Sequence, residues 1–122
     1  MGDASLTTDL GRVLVTGGAG FVGANLVTEL LDRGYFVRAF DRAPSPLPDH
    51  ERLEVHVGDI CDTETVASAV EGVDTIFHTA AIIDLMGGAS VTQEYRDRSF
   101  AVNVTGTKNL VHAAQAAGVK RF

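Results

Sequence analysis

The sequence predicts an α/β fold built around a doubly wound parallel sheet. Three observations predict it: short β-branched runs alternate with helical patterns, a glycine-rich turn joins the first such pair, and the helical patterns end at glycines. Right-handed crossovers between successive strands place helices on both faces of such a sheet. The predicted strand order is 3-2-1-4, followed by the start of a fifth strand, which is an incomplete Rossmann-type arrangement.

The first half of the chain supplies three strands and one helix. Residues 12–16, RVLVT, are typical of a strand buried on both faces. The helix that follows the glycines ends at Gly34. Its apolar residues recur at helical spacing: Phe21, Val22, Leu26, Val27, Leu30 and Leu31. Residues 35–41 and 53–60 are predicted as the second and third strands, separated by a surface loop that holds all three prolines.

The second half supplies a short helix, a fourth strand and a long helix. Asp62 is predicted to cap a helix over residues 63–72. Residues 73–82 form the fourth strand, and residues 91–117 are largely helical, with Gly118 at their end. The apolar stripe of this long helix is predicted at Phe100, Val104, Leu110, Val111 and Ala114. Gly106 within it indicates close packing against a neighbour, and VKRF at 119–122 opens a fifth strand.

Composition narrows the class of protein. The 122 residues suffice for one domain, predicted over residues 12–122 after a tail over residues 1–11. The net charge of −6 argues against nucleic acid or an anionic membrane as a partner, and no apolar run is long enough to span a bilayer. Cys61 is the sole cysteine, which fits a reducing cytoplasm. The four histidines are scattered and indicate no metal site.

The glycine turn predicts a phosphate-binding site. Gly18, Gly20 and Gly23 spell G-x-G-x-x-G, whereas Gly17, Gly20 and Gly23 spell G-x-x-G-x-x-G. In either pattern one glycine permits the turn, one lets the backbone approach a pyrophosphate, and one lets helix and strand pack closely. The free amides of the first helical turn, including those of Phe21 and Val22, would then face the phosphates.

Strand ends supply further candidate contacts to a dinucleotide. Asp41, 18 residues after Gly23, is placed to accept bonds from the ribose hydroxyls of the adenosine. The alternative is that Asp41 only begins a turn. A carboxylate there repels a 2′-phosphate, so NAD is favoured over NADP, although Arg42 can partly offset this repulsion.

Two other strand ends complete this set of candidates. We expect the Asp59 side chain and the Ile60 amide to contact the adenine ring, or Asp59 to be only a helix-entry residue. Thr79, Ala80 and Ala81 are small residues placed where the centre of the dinucleotide would pass. His78 is predicted as a packed strand-end histidine and Cys61 as an ordinary thiol.

Taken together, VTGGAGFVG, Asp41, GDI, FHTAA and NVTGTKNLVHAA resemble the extended short-chain dehydrogenase/reductase family over the chain after residue 11. HTAAIIDLMGG followed by NVTGTKNLV looks most like its 3β-hydroxysteroid dehydrogenases. This resemblance implies oxidation of a cholesterol-like 3β-hydroxyl with NAD, followed by Δ5-to-Δ4 isomerisation, in a homodimer. The resemblance also implies a catalytic Tyr-x-x-x-Lys motif, which this sequence lacks: Tyr95 is followed four residues later by Ser99.

The resemblance leaves alternatives open. One is a nucleotide-sugar epimerase or dehydratase of the same family, and another is a module that binds NAD without reacting. Residues 82–92 offer apolar surface to a sterol at Ile82, Ile83, Leu85 and Met86, or else form a packed loop. The resemblance implies that residues 12–122 are the N-terminal part of an NAD(P)-binding Rossmann domain, without a substrate domain. No catalytic residue is predicted within these 122 positions.

Overall fold

The computed structural model describes residues 9–83 and 91–122. Its parallel sheet has the strand order β3-β2-β1-β4, which confirms the predicted topology. The strands are β1 (Val13–Thr16), β2 (Val37–Asp41), β3 (Leu53–Val57) and β4 (Thr75–His78). β3 and β4 end before the predicted residues 60 and 82, because the chain leaves the sheet there and turns towards the helices that follow.

The helices are α1 (Phe21–Asp32), α2 (Thr63–Ala69), α3 (Gln93–Phe100) and α4 (Thr107–Ala117). The prediction that residues 91–117 are largely helical is confirmed, and a π-helical segment, Ala101–Gly106, joins α3 to α4. The wider turn of a π-helix shifts the phase of the residues on either side of it. α2 is also shorter than predicted, since its last turn closes at Val70.

Two apolar layers cover the two faces of the sheet. α1 packs on one face, with the cluster Val13, Val15, Val27, Leu30, Leu31, Val37 and Ala39. α2, the π-helical segment and α4 pack on the other, with the cluster Leu14, Phe40, Ile60, Val66, Ala69, Val70, Val73, Ile76, Val102, Leu110 and Ala114. Consecutive residues of β1 alternate between the two clusters, as expected of a strand buried on both faces.

Four predicted core residues are exposed. Phe21 and Val22 are 87% and 64% exposed, because the first turn of α1 projects beyond the carboxyl edge of the sheet. Phe100 and Val104 also face outwards, since the π-helical segment changes the phase of this region. The buried residues there are spaced by four: Val102, Gly106, Leu110 and Ala114.

Several local predictions are confirmed. Asp62 Oδ1 accepts a hydrogen bond from the Glu64 amide at 3.1 Å, as expected of an N-cap. A Cβ on Gly106 would lie 2.5 Å from Ile60 Cγ2, so this glycine permits a close approach. Arg121 pairs with Thr75 in parallel, which begins a fifth strand beside β4. No helix in the described part of the chain has the length and apolar character needed to cross a bilayer.

Candidate functional site

A cleft of about 200 Å³ lies at the carboxyl ends of the strands. It opens between β1 and β4, where the direction of winding reverses and where open parallel sheets hold their ligands. One side, the glycine wall, is formed by residues 17–23, and the opposite wall by residues 79–82. The lining residues are Gly17, Gly20, Phe40, Asp41, Arg42, Gly58, Ile60, Thr79, Ala80, Ala81, Ile82 and Val102.

Three glycines of the glycine wall leave no room for a side chain, and a Cβ on the first of them in the G-x-G-x-x-G pattern, Gly18, would lie 2.8 Å from the Ala39 Cβ. Gly17 has φ +68°, and a Cβ on it would lie 2.8 Å from the Ala80 nitrogen. A Cβ on Gly23 would lie 2.0 Å from the Gly17 oxygen, so Gly23 allows α1 to pack against the end of β1. The turn and the helix packing therefore depend on Gly17 and Gly23 respectively.

Gly20 differs from these three glycines. A Cβ on Gly20 would meet its nearest atom, the Gly17 oxygen, at 3.4 Å, which is an ordinary contact distance. Folding therefore leaves room for a side chain at Gly20, and the absence of one keeps the cleft open. The cleft accordingly has a bare stretch of backbone at the beginning of α1.

The start of α1 offers hydrogen-bond donors. The first backbone bond of the helix runs from the Ala24 amide to the Gly20 oxygen at 2.8 Å. The amides of Phe21, Val22 and Gly23 precede it and have no acceptor within the helix. No side chain caps this helix end either. Unpaired amides and the positive end of the helix dipole together favour an anion at this position.

Asp41 lies at the end of β2 and lines the cleft beside the glycine wall. Its Oδ2 accepts a hydrogen bond from the Ala19 amide at 3.0 Å, and its Oδ1 accepts one from the Ala43 amide at 3.0 Å. These two bonds fix the orientation of the carboxylate. Each oxygen keeps a lone pair that can accept a further bond from a ligand hydroxyl.

Asp59 lies outside the cleft lining, in the turn after β3. Its Oδ1 accepts a hydrogen bond from the Cys61 amide at 2.9 Å, and its Oδ2 lies 3.3 Å from Arg98 Nη2 and 4.0 Å from Arg42 Nε. The Cys61 amide and the Arg98 guanidinium lower the pKa of Asp59, against the opposing effect of burial. Burial and the charge of Asp59 raise the pKa of the Cys61 thiol, as expected of an unreactive thiol.

Side-chain hydrogen bonds hold the opposite wall. Thr79 Oγ1 donates to the Thr16 oxygen at 2.6 Å, which joins this wall to the end of β1. Asn103 binds both backbone groups of Ile82: its Oδ1 accepts from the Ile82 amide and its Nδ2 donates to the Ile82 oxygen, each at 2.8 Å. The π-helical segment therefore holds the end of the opposite wall.

The structure brings eight of the twelve predicted site residues into the cleft lining: Gly17, Gly20, Asp41, Arg42, Ile60, Thr79, Ala80 and Ala81. The other four adjoin it, with Gly23 beneath the turn, Phe21 and Val22 at the exposed start of α1, and Asp59 paired with Arg98. Leu85 and Met86, predicted at a substrate entrance, lie outside the described residues.

Sequence reasoning missed four lining residues and one that supports them. Gly58 and Phe40 could have been predicted, because Gly58 begins the GDI motif and Phe40 directly precedes Asp41. Ile82 was predicted as apolar surface for a sterol and not as part of this cleft, and Val102 carried no signal, because it reaches the cleft only through the fold. Asn103 lies within the NVTGTKNLVHAA motif, but the motif did not predict its two bonds to Ile82.

The strand order and the glycine turn at the switch point define a Rossmann-type domain. The model of the 3-beta hydroxysteroid dehydrogenase/isomerase family matches residues 14–122, and the chain belongs to that family. It is 77% identical over 122 residues to a 3 beta-hydroxysteroid dehydrogenase/Delta 5→4-isomerase of Mycobacterium tuberculosis (strain H37Rv), covering 100% of this chain and 33% of that protein. The chain thus spans about a third of the length of this curated relative.

Solved structures share the fold at moderate identity. A short-chain dehydrogenase/reductase superfamily protein from Agrobacterium tumefaciens with bound NAD has a TM-score of 0.76 and 40% identity, covering 88% of this chain and 30% of that one. MoeE5 in complex with UDP-glucuronic acid and NAD has a TM-score of 0.75 and 39% identity, covering 89% and 34% respectively. Chains of this fold have therefore been crystallised with NAD.

Proposed function

We propose that the cleft binds NAD, with its diphosphate against the start of α1. The observation that carries this proposal is Gly20, which lines the cleft and has room for a side chain that the sequence does not supply. The amides of Phe21, Val22 and Gly23 provide donors for the diphosphate, and the Asp41 carboxylate provides acceptors for the adenosine ribose. Whole-ligand pockets are typically about 300–1,000 Å³, so a cleft of about 200 Å³ encloses only part of the dinucleotide.

The remaining cleft residues suit the rest of this ligand. Ile60 and the Asp59 turn would contact the adenine ring, and the small side chains of Thr79, Ala80 and Ala81 would leave room for the centre of the dinucleotide. Asp41 disfavours a 2′-phosphate by charge repulsion, so we propose NAD rather than NADP. The Arg42 guanidinium is drawn towards Asp59 at 4.0 Å, which weakens its attraction for that phosphate.

In the complete protein, we propose oxidation of a cholesterol-like 3β-hydroxysteroid to the 3-ketone, with Δ5-to-Δ4 isomerisation. NAD, when bound, supplies the acceptor for the hydride that leaves the carbinol carbon. Family membership and the 77% identity to a relative with this printed activity support the proposal. The sequence contains no Tyr-x-x-x-Lys. We therefore propose that this chain is the cofactor-binding part of a longer enzyme, whose proton-transfer groups and substrate domain lie elsewhere.

A second candidate function is the oxidation or epimerisation of a nucleotide sugar. The likeness to MoeE5, crystallised with UDP-glucuronic acid and NAD, favours this candidate. It shares the proposed cofactor site and differs only in the substrate. The two candidates are therefore separated by the substrate that is turned over.

Turnover by the complete protein tests the substrate proposal. With NAD and cholesterol or another 3β-hydroxysteroid, we expect the absorbance of reduced nicotinamide to appear, and with UDP-glucose we expect none. The opposite pattern would establish the nucleotide-sugar function instead.

Asp41→Asn tests the cofactor preference separately. Because the variant lacks the negative charge, the ratio of the dissociation constants for NADP and NAD should fall on the order of tenfold. An unchanged ratio of the two dissociation constants would contradict the role of Asp41.

We also propose that the complete enzyme is a cytoplasmic homodimer. Phe100 and Val104 support the dimer, since both are exposed and both lie on the segment that leads into α4. Sedimentation of the wild-type protein and of Phe100→Ser tests it. We expect the variant to dissociate at higher concentration than the wild type, and a monomeric wild type would contradict the proposal.

A further inference from the structure

His78, at the end of β4, bonds both β1 and the start of α4 beside the cleft. Its Nδ1 lies 2.6 Å from Thr16 Oγ1 on β1, and its Nε2 lies 2.8 Å from Thr107 Oγ1 at the start of α4. Thr107 is separated from His78 by 29 residues and Thr16 by 62, so this imidazole joins distant parts of the chain. The predicted role of a packed strand-end histidine does not account for two such bonds.

The donors and acceptors around the ring determine where its proton lies. The Thr107 hydroxyl donates to the Asn103 oxygen at 2.8 Å, so Thr107 Oγ1 can only accept from His78. Nε2 must therefore carry the proton, and the Nδ1 of the neutral ring accepts from the Thr16 hydroxyl. Thr16 Oγ1 in turn accepts from the Ala80 amide at 3.3 Å. A directed series of hydrogen bonds thus runs from Ala80 to Asn103 through the imidazole.

Both ends of this series belong to the cleft. Ala80 lines it directly, and Asn103 follows the lining residue Val102 and holds the lining residue Ile82. We propose that His78 is a positioning residue of the dinucleotide site: its neutral Nε2–H form holds the opposite wall at a fixed distance from the π-helical segment, and its protonation weakens dinucleotide binding. This inference rests on the proposed function.

The surroundings of the ring favour its neutral form. Burial lowers the pKa of His78 below its ordinary value of 6.5. The ring contacts two threonine hydroxyls and faces Phe122, whose centroid is 6.0 Å away. β1 carries no charged residue. The charged or titratable side chains of α4 and of the following segment are all exposed: Lys108, His112, Lys120 and Arg121.

Protonation would disrupt the series at a known bond. A cationic imidazole carries a proton on Nδ1 as well, so Nδ1 must donate where it had accepted. Thr16 Oγ1 would then accept from both Nδ1 and the Ala80 amide, and its own proton would lose the acceptor that it has in the neutral state. The series would no longer be continuous in direction, which weakens the support of Ala80 without removing its bond.

The test is the pH dependence of NAD binding by the complete protein, measured by calorimetry between pH 5 and pH 8. We expect the dissociation constant to be constant above pH 6.5 and to rise below it. In His78→Gln, which keeps a donor for Thr107 but does not titrate in this range, that rise should disappear.

In His78→Phe, which keeps the ring shape without either bond, the affinity for NAD at pH 7.5 should fall on the order of tenfold. His112→Gln is the matched control, because His112 is an exposed histidine of α4, and it should retain the wild-type profile.

Nitrogen NMR of histidine-labelled protein gives a second readout that requires no dinucleotide. We expect the His78 resonances, assigned by their absence in His78→Gln, to show a protonated Nε2 and a bare Nδ1 at pH 7.5. An Nδ1–H tautomer, or a His78→Gln profile that rises as in the wild type, would overturn the inference. Failure of the wild type to bind NAD at any pH would instead reject the proposed function, while the NMR result would still report the hydrogen-bond directions.

Discussion

The two walls of the cleft are built by opposite means. The glycine wall depends on missing side chains: Gly17 and Gly23 allow backbone atoms to approach at distances that a Cβ would prevent. The opposite wall depends on side chains that are present, because Thr79 and Asn103 attach it to β1 and to the π-helical segment. One cleft thus combines a wall fixed by close backbone packing with a wall fixed by side-chain hydrogen bonds.

Gly23→Ala should produce the largest effect, because it disrupts the glycine wall. The new Cβ would lie 2.0 Å from the Gly17 oxygen, and backbone on both sides prevents easy relief. We expect the free energy of unfolding of the complete protein to fall by about 3 kcal/mol, at the upper end of typical overpacking costs. Urea unfolding measures this change, and a loss below about 1 kcal/mol would show that α1 can move away from β1.

Asn103→Leu should have the next largest effect, because it disrupts the opposite wall. It removes both bonds to Ile82 and should lower the free energy of unfolding by about 2 kcal/mol, at about 1 kcal/mol per hydrogen bond. Asn109→Leu is the matched control, since Asn109 makes a single 3.2 Å bond to the Ile60 oxygen. We expect that control to lose about half as much in the same urea assay. Equal losses in the free energy of unfolding would mean that the two bonds to Ile82 together stabilise the protein no more than the single Asn109 bond does.

The pH dependence of stability tests the support of the opposite wall, because His78 lies directly before this wall and bonds both Thr16 and Thr107. Burial lowers the pKa of folded His78, so below pH 6.5 the unfolded chain binds more protons than the folded one. The free energy of unfolding should therefore fall as the pH decreases from 6.5, by at most about 1.4 kcal/mol per pH unit from this group. Subtracting the His78→Gln curve from the wild-type curve isolates the contribution, and a flat difference would contradict it.

Gly20→Ala should have the smallest effect on stability and should separate folding from binding within the glycine wall. The added methyl meets its nearest atom at 3.4 Å, so the free energy of unfolding should change by less than about 0.5 kcal/mol. The same methyl lies where we place the diphosphate, so NAD affinity should fall on the order of tenfold or more. Stability loss comparable to that of Gly23→Ala would contradict the distinction between the two glycines.

The glycine wall and the fold around it could largely be predicted from the sequence. The strand order, the glycine turn and the Asp62 cap follow from local patterns, because glycine spacing, β-branched runs and capping residues act over a few positions. The roles of Gly17, Gly20 and Gly23 could be foreseen as a set, although only the structure assigns the turn to Gly17 and the close packing to Gly23.

The opposite wall could not be predicted in the same way. Asn103 and Ile82 are 21 residues apart, and nothing in either segment specifies their contact before the fold brings them together. The π-helical segment has no sequence pattern as regular as 3.6-residue periodicity, so the region was predicted as largely helical without this segment being identified. Its phase shift also made Phe100 and Val104 look like core residues when they are exposed.

A crystal structure of the complete protein with NAD is the decisive test of the proposed cofactor site, because it shows where the dinucleotide lies. We predict the diphosphate beside Gly20 at the amides of the first turn of α1, and the adenosine ribose hydroxyls on the Asp41 carboxylate. NAD bound elsewhere, or a diphosphate that avoids Gly20, would contradict this placement.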